Sequence, residues 1–326
     1  MSRRVLITGV TGFIGSELAK HLIAEGHIVY GLVREDSFIT NLIEGVIPLK
    51  GDLTERNSLD KAVQESQPEI VIHTAARTPV RFSFADPFSY SRINYEGTAN
   101  LIQAIVDSKI KIRQFIHASS MEVYQPKEGL ILETDCLNGS TPYGISKVAA
   151  DFYVQMARLA YDLPTTILRG SNTFGRPIQK LPPEAGGYLV EKAILQMINP
   201  ETKIAKFDGF PQNKRTWLYA PDHVSGYLTV FDNDKAIGEI FNISQNNCTS
   251  VGEVVKMIAD ITGFDGPIKW GENPRPYDPL SLCSDGTKLM KLGWKPQYDL
   301  EAGLKKTVEN LKSRTPSGRA RRKASA

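Results

Sequence analysis

The sequence predicts an α/β protein: a doubly wound parallel sheet, followed by a smaller C-terminal α/β domain that begins where the alternating pattern breaks, near Phe174. Two observations carry this prediction. Short apolar strands alternate with helical patterns from Val5–Thr8 to Thr165–Arg169 and recur roughly every twenty residues, which is typical of a parallel sheet. The first strand also runs directly into a glycine-rich turn that opens a helix. Such sheets bind ligands at the carboxyl ends of their strands.

The first element is the strand Val5–Thr8 with the turn that follows it. Gly9, Gly12 and Gly15 are spaced three apart, and Phe13 and Ile14 begin the apolar face of the next helix. The first N–H groups of a helix lack backbone partners, and with the helix dipole they form an anion site. A glycine-rich turn without a ligand is the alternative. The position of the glycines between strand and helix favours a dinucleotide site.

The second strand, Ile28–Val33, is followed directly by Arg34. An acid at this place would bind the adenosine ribose of NAD, whereas a guanidinium suits the 2′-phosphate of NADP. Arg34 therefore slightly favours NADP, although a solvated arginine or one that stacks on adenine is also compatible. After the third strand, Val46–Leu49, Asp52 and Leu53 are candidate contacts of the adenine, unless Asp52 caps the next helix.

Two further strands end in small and polar residues. Ile70–His73 is followed by Thr74, Ala75 and Ala76, which would let a cofactor lie against the strand end, and His73 is interpreted as a packed histidine rather than a base. A polar loop with Arg81, a candidate substrate contact, leads to a helix that holds Asn94. The fifth strand, Gln114–Ala118, is followed by Ser119, Ser120 and Glu122.

The next helix carries the candidate catalytic pair. Thr141-Pro142 is typical of a helix start. Tyr143 and Lys147 follow and lie on one face, because they are four residues apart. A nearby ammonium favours the phenolate, so Tyr143 is a plausible proton acceptor for a sugar hydroxyl, and Ser120 could share that hydrogen bond. A tyrosine four residues before a lysine is common by chance. It indicates a catalytic pair here because it follows the glycine-rich turn and the strand end with Ser119 and Ser120.

With these motifs the chain resembles the extended short-chain dehydrogenase/reductase family, the NAD(P)-dependent nucleotide-sugar epimerases and dehydratases with a Rossmann fold. The resemblance covers about residues 4–311. It rests on the glycine turn, on Asp52-Leu53, on His73–Ala76, on Asn94 with Gly97–Leu101, on Ser119-Ser120, on Pro142–Lys147 and on Leu168–Asn172. It implies that Ser120, Tyr143 and Lys147 are catalytic. It also implies that Gly9, Gly12, Phe13, Ile14, Gly15, Arg34, Asp52, Leu53, Thr74, Ala75, Ala76, Asn94, Ser119, Tyr143 and Lys147 bind NAD(P).

The same resemblance divides the chain and assigns substrate contacts. Residues 1–173 are expected to bind NAD(P), 174–311 mainly the nucleotide diphosphosugar, and 312–326 to form a disordered basic tail. Asn172 and Ser120 would touch the substrate, and Arg215 would meet a phosphate, although Thr216 stands where the family commonly has an acid. Arg275 and Asp278 would hold the diphosphate and the ribose.

The resemblance leaves the reaction open between two outcomes of C4 oxidation. In dehydratases a glutamate follows the catalytic serine or threonine with one residue between them, and Glu122 in Ser120-Met121-Glu122 fits that role. Met121 stands where an acid or serine is usual, and it cannot donate a proton. Similarity to GDP-mannose 4,6-dehydratases slightly favours 4,6-dehydration over 4-epimerisation. A catalytically inactive NAD(P)- or RNA-binding member of the family is a remoter alternative.

Composition restricts the remaining possibilities. The 326 residues are 41% hydrophobic and 23% charged, and no apolar run approaches a membrane span. The last fifteen residues hold six basic residues and no acid, so the net charge of +3 becomes −3 without them. Three scattered cysteines argue against a disulfide framework and a metal site. A cytoplasmic protein without a metal site or membrane partner is therefore expected. We also expect a homodimer and no nucleic-acid partner.

Overall fold

The computed structural model describes residues 1–35, 42–175, 188–272 and 277–313. Strands and helices alternate through most of the first half of the chain, whereas the strands after β7 have at most four residues and follow a less regular order. The strands are β1 (Arg4–Thr8), β2 (Ile28–Val33), β3 (Ile47–Lys50), β4 (Ile70–His73), β5 (Gln114–Ser120), β6 (Leu130–Ile131), β7 (Thr165–Gly170), β8 (Asn172–Phe174), β9 (Ala205–Asp208), β10 (Lys214–Arg215), β11 (Trp217–Tyr219), β12 (Ile240–Ile243), β13 (Thr249–Ser250), β14 (Ile268–Gly271) and β15 (Ser281–Ser284). The helices are α1 (Phe13–Ala24), α2 (Arg56–Ser66), α3 (Pro87–Tyr90), α4 (Gly97–Ser108), α5 (Pro142–Tyr161), α6 (Leu189–Met197), α7 (Ala220–Val230), α8 (Val251–Thr262), α9 (Thr287–Leu292) and α10 (Leu300–Lys312).

The central sheet has seven strands in the order β12-β7-β5-β4-β1-β2-β3. Every neighbouring pair is parallel, which confirms the predicted doubly wound sheet. The six predicted strands all occur; two have the predicted bounds, and the ends of the other four shift by at most two residues. The edge strand β12 was not predicted, because it comes from the part of the chain where the alternating pattern has broken.

Helices cover both faces of this sheet. One core joins α1 and α7 to the sheet through side chains such as Leu18, Leu22 and Tyr227. The other joins α2, α4 and α5 through side chains such as Leu59 and Leu101. Since both faces are buried, the strands are nearly continuous apolar runs, as parallel strands generally are.

The smaller region has a core of its own, in which α6, α8 and α10 pack together. Beside it lies a four-stranded sheet in the order β13-β10-β15-β6. Two strands do not follow the predicted division at residue 173. β6 comes before it in sequence but pairs with β15 of the smaller region, and β12 comes after it but pairs with β7 of the large sheet. The division therefore remains a proposal about which residues bind which ligand.

The cysteines correct one prediction. Cys248 and Cys283 form a disulfide with a Cα–Cα distance of 5.5 Å, whereas Cys136 is an exposed free thiol. The two partners are 35 residues apart in sequence, and the pairing of β10 with both β13 and β15 brings them together. The count and spacing of cysteines could not reveal this, because they contain no information on strand pairing.

The C-terminal helix and the tail meet later than predicted. Lys312 is the last residue of α10 rather than the first of a tail, and the rest of the predicted tail, residues 314–326, lies outside the described residues. Across the ranges that the structure describes, no helix has the length and apolar character needed to cross a membrane.

Candidate active site

A cleft of about 960 Å³ opens at the carboxyl ends of β1, β2, β4, β5 and β7 and extends to the smaller region. Most of the predicted site residues line it. They are Gly9, Gly12, Phe13, Ile14, Gly15, Arg34, Asp52, Leu53, Thr74, Ala75, Ala76, Arg81, Ser119, Ser120, Glu122, Tyr143, Lys147, Asn172, Arg215 and Asp278.

The turn between β1 and α1 forms one wall of the cleft. Gly9 has a φ of +72°, a conformation that side chains other than glycine rarely adopt, and a Cβ there would lie 2.7 Å from the backbone nitrogen of Ala75. A Cβ on Gly15 would lie 2.3 Å from the carbonyl oxygen of Gly9. The N-cap residue of α1, Gly12, supplies no side-chain hydrogen bond to the helix. Backbone N–H groups at this helix start therefore face the cleft, which fits the pyrophosphate of a dinucleotide.

The predicted adenosine end of the cleft contains Arg34, Asp52 and Leu53. Arg34 is exposed directly after β2, where a ribose or its phosphate would lie. Asp52 Oδ1 accepts hydrogen bonds from the backbone N–H and the hydroxyl of Thr54, both at 2.7 Å. Asp52 does not cap α2, since Glu55 is the N-cap residue, so it shapes the turn and lines the cleft at once.

Two polar residues of the resemblance lie behind the cleft wall. Asn94, a predicted cofactor contact, is not among the residues that line the cleft; it is buried, its Oδ1 accepts from the backbone N–H of Arg77 at 2.8 Å, and its Nδ2 donates to Ser146. It sits in a π-helical turn, Ser91–Glu96, and holds the loop after β4 in place. His73 is packed, as predicted: its ring bonds to the hydroxyls of Thr8 and Thr98, and burial lowers its pKa to about 3.

Ser120, Glu122 and Tyr143 meet where β5 ends and α5 begins. The Thr141 hydroxyl accepts from the backbone N–H of Gly144 at 2.9 Å, which confirms the predicted helix start. A Cβ on Gly144 would lie 2.5 Å from the carbonyl oxygen of Glu122, so glycine lets the two segments touch. Ser120 Oγ in turn accepts from the Glu122 N–H at 3.2 Å. The three predicted groups thus occupy one corner of the cleft.

Burial dominates the ionisation of the candidate catalytic pair, Tyr143 and Lys147. It raises the pKa of Tyr143 above its ordinary value, and a hydrogen bond with Ser120 acts in the opposite direction. Burial lowers the pKa of Lys147 to about 8, and the charge of Asp151 partly offsets that effect. Lys147 Nζ donates to the carbonyl oxygen of Ala118 at 2.7 Å, at the end of β5. A proton on Tyr143 therefore needs further positive charge nearby to be released near neutral pH.

The predicted substrate end of the cleft, beside the smaller region, holds a buried ion pair. Arg215 Nη2 lies 2.8 Å from Asp278 Oδ1, and both side chains are about nine-tenths buried. Asp278 also accepts from Asn213 at 2.9 Å, and Arg215 donates to the carbonyl oxygen of Pro279. The resemblance gave these two residues separate ligands, whereas the fold places them side by side. Arg275 lies outside the described residues.

The structure adds cleft residues that the sequence interpretation passed over. Glu191 is a nearly buried acid on α6, and its Oε1 accepts from the backbone N–H of Gly175 at 3.0 Å. His223 packs against Gly170, where a Cβ would lie 2.6 Å from its ring, and bonds to Thr173 at 2.6 Å. An acid on an otherwise apolar helix face was the available signal for Glu191.

Met121 turns away from the cleft. It is buried among Val123, Tyr124, Ile131 and Leu282, and it is not a lining residue. The unusual residue of the Ser120-Met121-Glu122 run therefore belongs to the packing between β5 and the smaller region. Glu122 is the acid that this run contributes to the cleft.

Comparison with known proteins agrees with this geometry. The sequence profile of the family described as GDP-mannose 4,6 dehydratase matches residues 6–307. The dTDP-D-glucose 4,6-dehydratase of Mus musculus is 29% identical, over 94% of this chain and 88% of the mouse protein. DesIV, a dTDP-glucose 4,6-dehydratase from Streptomyces venezuelae solved with NAD, has a TM-score of 0.84 at 25% identity, over 95% of this chain and 97% of its own. UDP-glucose 4-epimerase from Thermus thermophilus in complex with NAD has a TM-score of 0.83 at 26% identity, over 95% and 99%.

Proposed function

Because this chain belongs to the GDP-mannose 4,6 dehydratase family, we propose that it is an NAD(P)-dependent enzyme that oxidises C4 of a nucleotide-bound hexose and then removes water across C5 and C6. The observation that carries the proposal is the corner of the cleft where Ser120, Tyr143 and Glu122 meet. It offers a hydroxyl partner, a proton acceptor for a C4 hydroxyl and a separate carboxylate.

The residues of this corner divide the chemistry between them. Bound NAD(P) would supply the redox chemistry: it would accept the hydride from C4 and, after water is lost, give it back at C6 of the C5–C6 double bond, while C5 takes up a proton that comes from solvent. Tyr143 takes the proton of the C4 hydroxyl, while Ser120 shares the hydrogen bond to that oxygen and the Lys147 ammonium favours the phenolate. Glu122 then takes the proton from C5, which the neighbouring ketone has made acidic. The departing C6 hydroxyl receives its proton from Glu122 itself or from water, since Met121 has none to donate.

The experiment follows mass and hydrogen exchange together. The enzyme is incubated with UDP-, GDP-, CDP- and dTDP-hexoses in deuterated water. Dehydration yields a product lighter by one water, with deuterium at C5. Glu122→Gln should abolish water loss and still permit reduction of the cofactor, whereas Glu128→Gln, on the exposed segment after β5, should change neither.

The second candidate is 4-epimerisation. It is favoured by the position of Met121, which leaves the Ser120-Met121-Glu122 run with one acid in the cleft. A product of unchanged mass, inverted at C4 and without deuterium at C5, would replace the dehydratase by the epimerase. Bound cofactor without any conversion of the sugars would favour the inactive, NAD(P)- or RNA-binding alternative.

The choice of cofactor rests on Arg34. Its exposed position after β2, on the lining of the cleft, supports a contact with a 2′-phosphate and hence a modest preference for NADP. The two related structures named above were solved with NAD, so both cofactors belong in the test. Calorimetric titration of each cofactor into the purified protein measures the preference directly.

A second copy of the chain is the proposed partner, through the outer face of α5. Ile145, Phe152 and Leu159 are seven residues apart and 52%, 56% and 84% exposed. This spacing aligns them along one side of the helix, and an apolar stripe of this kind is typical of a helix–helix interface. Sedimentation should show a dimer that Phe152→Glu converts to a monomer, while Phe88→Glu, at another exposed phenylalanine, leaves it intact.

The expected location remains the cytoplasm, and the Cys248–Cys283 disulfide tests it. Cytoplasmic thiols are generally kept reduced. Alkylation of the protein at the moment of cell lysis, followed by mass spectrometry, should show whether the bond exists in the cell. A fully formed disulfide would place the protein in an oxidising compartment instead.

A further inference from the structure

Helix α5 carries a third ionisable residue in line with the catalytic pair. Tyr143, Lys147 and Asp151 follow one another at intervals of four, so they lie on one face of the helix, and all three are buried. Tyr143 and Lys147 line the cleft, whereas Asp151 lies one turn deeper and has no exposed surface. Burying a carboxylate is costly, so its place beneath the catalytic lysine calls for an explanation.

Lys147 and Asp151 contact the same short segment of β5. Lys147 Nζ donates to the carbonyl oxygen of Ala118 at 2.7 Å. His117 precedes Ala118 on β5, and its Nε2 lies 3.7 Å from Asp151 Oδ1. Ser119 follows Ala118, and its hydroxyl lowers the pKa of Asp151. The carboxylate therefore sits close beneath the point where the ammonium is anchored.

Arg169 on β7 balances the charge of Asp151 from the other side. Its Nε lies 2.9 Å from Asp151 Oδ2, and its Nη1 donates to the hydroxyl of Tyr124 and to the carbonyl oxygen of Glu133. The guanidinium thus extends toward Tyr124 and Glu133, while the second carboxylate oxygen remains on the β5 side, where Lys147 is anchored.

We propose that Asp151 is a positioning residue that keeps the Lys147 ammonium charged in a buried site, and with it the acid–base chemistry of Tyr143. The proposal rests on the function proposed above, because it concerns the same catalytic pair. Asp151 acts through Lys147 and does not itself touch the cleft. Arg169 keeps the carboxylate ionised, so the three groups form a chain from β7 to the active site.

The electrostatics of the neighbouring groups agree with this role. Burial alone would lower the pKa of Lys147, and Asp151 is the charge that raises it again, to a value of about 8. Burial likewise raises the pKa of Asp151, and Arg169 opposes that effect. The histidines that face the cluster from β4 and β5 carry no competing charge near neutral pH, because burial lowers the pKa of His73 to about 3 and that of His117 well below its ordinary value.

The size of the change in the pKa of Lys147 decides whether Asp151 matters for catalysis. With a pKa of about 8, roughly nine-tenths of Lys147 is charged at neutral pH. A further fall of one unit would leave about half of it charged. Loss of Asp151 is therefore expected to lower the charged fraction of Lys147 substantially near neutral pH.

The test measures the ionisation of Lys147 without using turnover. The full-length protein is labelled with trace acetic anhydride between about pH 6 and about pH 10, and mass spectrometry follows acetylation of Lys147, since only the neutral amine reacts. We expect a midpoint near 8 in the wild type and one at least about one pH unit lower in Asp151→Asn. Exposed Lys305 in the same samples serves as an internal reference.

Asp222→Asn is the matched control. Asp222 is also a buried carboxylate, accepts hydrogen bonds from the backbone N–H groups of Gln297 and Tyr298, and lies on α7. It should lower thermal stability without moving the Lys147 midpoint. If Asp151 only ties α5 to β7, Asp151→Asn will behave in the same way, and an unchanged or higher midpoint overturns the proposal.

A second variant covers the chance that Asp151→Asn does not fold with Arg169 left unpaired. The double variant Asp151→Asn/Arg169→Gln removes both buried charges, and such a replacement is tolerated better than loss of one partner. The Lys147 midpoint should still fall. A wild-type midpoint near the ordinary lysine value would by itself overturn the proposal, because Lys147 would then need no support.

Turnover provides an independent readout. Deprotonation of Lys147 removes activity at high pH, so the alkaline limb of kcat should move to lower pH in Asp151→Asn, with KM unchanged. Failure to find any sugar substrate would contradict the proposed function and leave the labelling experiment intact. A shifted midpoint with an unshifted kcat profile would show that Lys147 titrates as described but does not limit the reaction, which would overturn the catalytic part of the proposal.

Discussion

The two ends of the cleft are built in different ways. At the proposed cofactor end, most predicted residues lie at or just after the carboxyl end of a parallel strand, or near the start of a helix. Residues that are neighbours in space there therefore belong to short motifs of the sequence. At the substrate end, Arg215 and Asp278 meet across 63 residues, and a disulfide joins segments 35 residues apart. The first arrangement depends on local geometry, whereas the second depends on long-range pairing and should respond to different perturbations.

The largest effect is expected from the chemistry of the cofactor end. Tyr143→Phe removes a single oxygen from a buried ring that packs edge-on against Tyr90, so the fold and cofactor affinity should survive. Turnover should fall by about a hundredfold to ten-thousandfold, because the proton acceptor is lost. Stopped-flow absorbance of the cofactor measures this, with Tyr90→Phe as the matched control. Wild-type rates in Tyr143→Phe would exclude this tyrosine from the mechanism.

At the substrate end, the ion pair should be as important for folding as for binding. Asp278→Asn leaves the Arg215 guanidinium without its carboxylate in a site that is about nine-tenths buried, which is expected to cost about 3–5 kcal/mol of stability. KM for the nucleotide sugar should rise, while affinity for NAD(P) remains. Chemical denaturation and calorimetry report the two effects. Glu301→Gln breaks an exposed pair with Lys305 and should change neither quantity noticeably.

Loss of the disulfide should destabilise the same end of the cleft, the one that holds Arg215 and Asp278, by a smaller amount. Cys248→Ser removes a cross-link that closes a long loop, with an expected cost of about 2–4 kcal/mol. The melting temperature should fall, and the loop that holds Trp217 through Asn247 should become more accessible to proteases. Cys136→Ser, at the free thiol, is the control. A thiol assay that finds three reactive groups in the native protein would contradict the pairing.

The smallest effect concerns the choice between cofactors. If Arg34 contacts a 2′-phosphate, Arg34→Ala should weaken NADP binding by about tenfold or more, because a charge-assisted hydrogen bond is lost, and leave NAD nearly unchanged. Lys61→Ala, at a cation on the exposed side of α2, controls for general charge effects. Equal losses for both cofactors in calorimetric titrations would leave Arg34 without a role in specificity.

Local patterns were sufficient to predict which residues line most of the proposed cofactor end of the cleft. The close approach of Gly9 and Gly15 to neighbouring backbone requires glycine, and a spacing of four on a helix places Tyr143 and Lys147 together whatever surrounds them. Asn94 is the exception. Its amide belongs to the same family motif, yet the backbone of Arg77 and the hydroxyl of Ser146 occupy it, and neither contact is visible in a linear pattern.

The sequence by itself determined the parallel sheet, the glycine-rich turn after β1 and the helix that carries Tyr143 and Lys147, since each depends on residues within one or two turns or strands. The tertiary structure alone decided the position of β12, the Cys248–Cys283 bond and the pairing of Arg215 with Asp278. It also decided that Met121 faces a hydrophobic cluster while Glu122 faces the cleft. These features join segments that are distant in the chain, and which distant segments meet depends on how the whole core packs.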